Sequence, residues 1–125
     1  MGSVLLVGMG GALGAVGRYG LSLLPWRGEF PLLTLLTNLL GAVLIGFIAG
    51  LAGRGRLNPS AALFWKTGVC GGFTTFSAFS METLHLLEEG RMAAGLLYAG
   101  LSVVLCVAGV YVGNLVAHML LRRGG

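Results

Sequence analysis

Charge is scarce in this chain: eight Lys or Arg and four Asp or Glu among 125 residues, against a hydrophobic share of 56% and a mean hydropathy of +0.91. That is too little polar surface to coat a water-soluble globule of this size, so the chain reads as a membrane protein. Cysteine is almost as rare. Cys70 and Cys106 both fall inside apolar runs, where two thiols make neither a disulfide framework nor a zinc site, and they are read as small packing residues. No basic region precedes the first apolar run, which also continues past signal-peptide length, so it is expected to be kept as a first spanning helix. A catalytic set is missing too. His85 and His118 are isolated near span ends, and Glu82, Glu88 and Glu89 lack a paired acid–base geometry, so no enzyme is expected.

What the chain does have is length in its apolar runs. A spanning helix needs ~20 mostly apolar residues at 1.5 Å rise, and residues 4–24, 32–52, 61–87 and 92–121 meet that requirement. Their connections are short, which predicts an all-α membrane protein of one four-span domain over residues 1–125. A net charge of +4 would suggest nucleic acid in a soluble protein. Here the basic residues sit mostly at span ends, so lipid headgroups are the expected partners and nucleic acid is not. Arg54, Arg56, Arg122 and Arg123, with Lys66 nearby, would share one face, and Arg27 and Arg91, with Arg18 nearby, the other. Five against three is a weak bias, which permits a fixed orientation without forbidding insertion both ways.

The first span carries glycines at positions 8, 10, 11, 14, 17 and 20, and helices in lipid associate through such small residues. Gly8, Gly10 and Gly14 also imitate a dinucleotide fingerprint, but that motif has meaning only between a strand and a helix, and no strand alternation follows. Arg18 either snorkels to the headgroups or faces water or a charge inside the assembly. In the second span Thr34 and Asn38 lie four apart on one helix face,. The fourth repeats the pattern, with Tyr98, Ser102 and Cys106 at successive i+4 positions, so one stripe carries small dipoles for about three turns,.

The third span is different. Its midpoint is Thr74, and Gly71-Gly72-Phe73-Thr74-Thr75 falls at the bilayer centre. Glycine costs ~1 kcal/mol relative to alanine within a helix, and threonine hydroxyls compete for backbone partners. A helix break is therefore expected between Gly71 and Thr75. Freed carbonyls near Gly71 to Thr74 could ligate a dehydrated cation, while the second half-helix presents a positive end. One chain offers too few carbonyls for a cage. Two chains related by a twofold axis in the membrane plane would double the number, and such an axis passes through the middle of a spanning helix, which favours an antiparallel dimer. Phe76 and Phe79 follow on one ridge, with Ser80 and Thr83 close to it. Ring edges carry partial positive charge, so two rings beside Asn38, Thr34, Tyr98, Ser102 and Ser77 could hold a small anion that must bind and then leave.

These residues resemble the small bacterial fluoride channels of the Fluc or CrcB type. The resemblance runs through Gly14-Ala15 to Arg18-Tyr19, Thr34 to Asn38 with Gly41 and Gly46, and above all residues 71–80, GGFTTFSAFS. It implies a multi-pass protein of the bacterial plasma membrane, built as an antiparallel dual-topology homodimer with two fluoride pores and one central sodium ion. By the same resemblance, main-chain carbonyls of Gly71 and Thr74 would hold the sodium, and Phe76 and Phe79 would be the fluoride-facing rings. Asn38 would be a pore donor, Thr34, Tyr98 and Ser102 part of a polar track, and Arg18 would lie near the aqueous entrance. This chain departs from the family pattern at Ala78, commonly Thr, and at Cys106, where the track often continues with serine. The competing class, a four-span multidrug exporter, needs a carboxylate deep in the membrane, and the first, second and fourth spans have none. Glu82 is read as a vestibule or helix-end residue. A purely structural subunit would explain the glycines but not a centred break with flanking rings and hydroxyls.

Overall fold

The computed structural model describes residues 1–124, and among them every regular element is helical. Helix α1 (Gly2–Ser22), α2 (Leu32–Gly53) and α6 (Met92–Arg123) are each long and apolar enough to cross a membrane. The third span is assembled from pieces: α3 (Pro59–Ala62), a π-helical stretch (Leu63–Cys70), one α turn, α4 (Gly71–Phe73), and then α5 (Phe76–Glu88). Each boundary has a local cause. Asn58 caps α3 by accepting the Ala61 N–H at 2.7 Å, with Pro59 in the first turn, where a missing N–H does no harm,. At the other end of the span, Gly90 takes φ +79 to turn the chain into α6,.

The pieces are joined without a change of direction until Thr74 and Thr75. These two residues are extended, at φ −84, ψ 154 and φ −144, ψ 117, and they divide the span at its middle. The glycines expected to carry the break do not. Gly71 and Gly72 remain helical, because a smooth helix is what α1 packs against: a Cβ on Gly72 would strike the Gly11 carbonyl, and one on Gly14 would strike the Val69 carbonyl. Small residues here bring two backbones together. Their helical cost is offset by that contact, and unwinding is left to the threonines.

The π-helical stretch was not expected from the sequence. It lies against α1 where Gly10 faces Phe64 and Gly68, with a Cβ on Gly10 standing 2.6 Å from the Phe64 carbonyl oxygen. Wider turns of this kind occur at functional sites. Across the molecule, α2 and α6 run past each other on the same principle, Gly46 facing the Val110 carbonyl and Gly113 that of Val43. The buried centre is small: Leu35, Leu86 and Tyr98, flanked by Phe30, Phe79, Ala94 and Leu105. Large apolar side chains cover much of the outside, as expected of a chain whose solvent is lipid.

Candidate functional site: the broken span and its groove

Ending a helix at mid-membrane exposes backbone groups that hydrocarbon cannot satisfy. Neighbouring side chains take up several of them. The Asn38 amide lies alongside Thr75, accepting its N–H at 2.8 Å and donating to its carbonyl at 3.1 Å, as a second strand would. Arg18 points inward from α1 and donates through Nε to the Gly72 carbonyl at 3.3 Å, so its guanidinium serves the break instead of snorkelling to headgroups. Thr74 returns both its N–H and its hydroxyl to the Cys70 carbonyl. Thr75 then caps α5, its hydroxyl accepting from Ala78 N–H and meeting Ser77 Oγ at 3.2 Å,.

After that accounting two carbonyls stand out. Among the hydrogen bonds of the described residues, none ends on the oxygen of Gly71 or of Thr74. Gly71 is exposed, with nothing within 4 Å of where a Cβ would sit. Unclaimed carbonyl oxygens three residues apart, one of them facing open space, are hard donors of the type that sodium accepts. They suit the ion that the family resemblance implies.

Beside the break is a groove of about 440 Å³ between α2, the third span and α6. It brings together Asn38, Gly71, Thr74, Phe76, Phe79 and Ser102. Gly41 makes the crossing possible, since a Cβ there would overlap the Thr74 methyl. Phe76 is 80% exposed on the groove wall, its centroid 5.6 Å from that of Phe79 with the rings tilted by 47°. Phe79 in turn lies 5.2 Å from the fully buried ring of Tyr98, tilted by 53°. The Ser102 hydroxyl is buried and has no partner among the described residues. Such a group is rare in a folded protein and usually marks a place for a ligand, water or ion.

Thr34, Tyr98, Ser77 and Arg18 do not line the groove. Thr34 and Tyr98 are gathered one step away, around a residue whose role the sequence reading missed. Glu82 accepts from Thr34 Oγ1 at 2.7 Å on one oxygen and from the Tyr98 hydroxyl at 3.2 Å on the other. It is thus no free helix-end residue but the junction of α2, α5 and α6. The available signal was spacing: Glu82 follows Phe79 by three residues and so shares its ridge. Glu82 also lines a second cavity of about 470 Å³, with Glu29, His85 and Glu89 at its rim. Ser77 is exposed at the start of α5, and Cys106 extends the Ser102 stripe along the groove.

Comparison with known proteins agrees with the site. A fluoride-specific ion channel FluC of Nitrobacter winogradskyi is 44% identical over 121 residues, covering 94% of this chain and 96% of the relative. One from Thermus thermophilus is 44% identical over 126 residues, covering 97% and 92%, and FluC 2 of Bacillus subtilis is 43% identical over 120, covering 93% and 91%. Residues 5–114 match the family described as CrcB-like protein, Camphor Resistance (CrcB). With helices that cross a membrane several times and a match spanning most of its length, the chain belongs to the CrcB-like family, whose curated relatives are ion channels and not enzymes.

Proposed function

We propose that this protein is a fluoride-selective channel through which fluoride leaves the cytoplasm passively, and that it works as an antiparallel, dual-topology homodimer with a sodium ion at its centre. One observation carries the reading: the helix break, the ring pair and the unpartnered Ser102 hydroxyl all face one groove. A small, strongly hydrated anion can move through a dry passage only where protein donors replace its water. Ser102 Oγ–H is free to do so. Asn38 contributes differently from a free pore donor, because its amide holds Thr75 and thereby fixes the start of α5. Phe76 and Phe79 present ring edges to the groove, and edge hydrogens attract an anion without a full charge that would trap it. Thr34 and Tyr98 form the next stage, bound to Glu82.

The groove is open on one side in a single chain. A second copy related by an axis through the middle of the third span would close it and bring its own Gly71 and Thr74 to the same point. The Gly71 and Thr74 carbonyls of both copies would then hold the sodium, whose charge raises the potential for anions in both pores. Arg18 keeps the Gly72 oxygen out of that set, and Thr74 keeps the Cys70 oxygen out.

The deciding experiment is fluoride efflux from proteoliposomes, followed with a fluoride-selective electrode with and without sodium. Rapid fluoride loss with chloride retained is expected, together with a large fall in rate for Phe76→Ile. Absence of fluoride efflux, or Phe76→Ile at the wild-type rate, overturns the channel reading or the ring assignment respectively. Drug resistance that requires Glu82 would support the exporter class instead.

A further inference from the structure

Two spans need only a short polar connection. The one between α1 and α2 contains instead a Trp, a Gly and a Phe arranged as a compact unit. The Trp26 ring folds over Gly28, where a Cβ would stand 2.5 Å from Trp26 Cζ2, and its indole N–H donates to the Phe30 carbonyl at 2.8 Å. The same carbonyl accepts the Leu32 N–H at 2.7 Å. Between them Glu29 pairs with Arg91 at the corner joining α5 and α6, where the Arg91 N–H also ties back to the Leu86 carbonyl at 2.9 Å.

All of this fixes one side chain. The Phe30 ring meets Tyr98 edge to face, centroids 5.5 Å apart and planes at 80°, on the opposite side from Phe79 at 5.2 Å. Tyr98 is therefore gripped between two rings from different elements, with no exposed surface, and its one polar atom is aimed at Glu82. A phenol ring free to tilt would carry its hydroxyl away from the carboxylate, since the oxygen lies at the far end of the ring.

We propose that residues 26–30 form a clamp, with Phe30 as a positioning residue that holds the Tyr98 hydroxyl on Glu82 and so sets the outer stage of the ion path. The proposal deepens the channel reading and rests on it for its consequence in transport. Phe30 touches neither the groove nor the ring pair directly, and acts through Tyr98.

The test combines flux with a signal that does not depend on flux. In proteoliposomes, F30L is expected to carry fluoride about fivefold more slowly than wild type, on the scale of one lost aromatic pair. Y98F is expected to be slow as well, and F30L/Y98F no slower than Y98F alone. A residue that merely stabilised the fold would lower the rate by the same factor in both backgrounds, and that result overturns the proposal. So does F30L at the wild-type rate. In protein labelled with 3-fluorotyrosine, F30L and G28A should shift the ¹⁹F resonance of Tyr98, assigned by its loss in Y98F, and leave that of Tyr111 in place. An unmoved Tyr98 signal in both variants overturns the clamp. If F30L fails to fold, G28A decides by the same signal. If the wild type passes no fluoride, the channel reading fails, and the Tyr98 signal still decides whether the clamp exists.

Discussion

Helices α2 and α6 cross the hydrocarbon side by side without interruption, while the third span, a few ångströms away, stops halfway and starts again. Both regions use glycine for close approach. They differ in who satisfies the backbone: along α2 and α6 each helix serves itself, whereas at Thr74 and Thr75 the partners come from Asn38 on α2 and Arg18 on α1. A break inside a membrane is thus a property of three helices, not of the one that breaks. The carbonyls that the neighbours leave unclaimed are what the break contributes to function.

The sharpest way to break this comparison is to attack the unbroken pair. Gly113→Leu forces a side chain into the Val43 carbonyl, and overpacking of this kind costs about 1–3 kcal/mol or more. Loss of monodisperse protein in size-exclusion chromatography is expected, and a folded, active variant would show that the glycine contact is dispensable. Next is Asn38→Leu, which strands the Thr75 N–H and carbonyl in an apolar setting at about 1–3 kcal/mol for each group left unsatisfied. Thr37→Val is its control. Thr37 only returns its hydroxyl to the Leu33 carbonyl of its own helix, so thermal unfolding should separate the two variants clearly.

Glu82→Gln follows. Its amide nitrogen cannot accept, so one of the hydrogen bonds from Thr34 and Tyr98 is lost, a change of about 1–2 kcal/mol in unfolding free energy with slowed fluoride efflux. Unchanged efflux would remove Glu82 from the path. Ser102→Ala is expected to have the smallest effect on stability, under about 0.5 kcal/mol, because the hydroxyl has no partner to lose,. Its efflux should nevertheless fall severalfold. Reduced melting temperature with normal efflux would make Ser102 a packing residue and reverse its assignment.

Much of this arrangement was legible in the sequence. Four apolar stretches, the central position of the break and the shared face of Thr34 and Asn38 follow from length, composition and helical spacing. What periodicity could not divide was labour within the break. Glycine's low helix propensity pointed at Gly71 and Gly72, yet tertiary contact with Gly11 keeps them helical, and the Asn38 amide makes the threonines the cheaper place to unwind. Arg18 was ambiguous because a charge near a span end is served equally by headgroups or by a carbonyl, and only the neighbouring helix decides. Glu82 escaped because its two donors lie 48 and 16 residues away in the chain. Phe30 looked like a loop residue for the same reason.

The wide turns from Leu63 to Cys70 also act as a phase device. Each residue of an α-helix advances the chain by about 100°, so removing a single codon within that stretch, and letting it relax to the tighter form, would rotate everything downstream by roughly a quarter turn. The two benzyl rings would then swing out of line with the fourth helix while every residue type in the signature stayed intact. For this protein a one-residue deletion well before the signature is therefore a harsher lesion than most substitutions inside it.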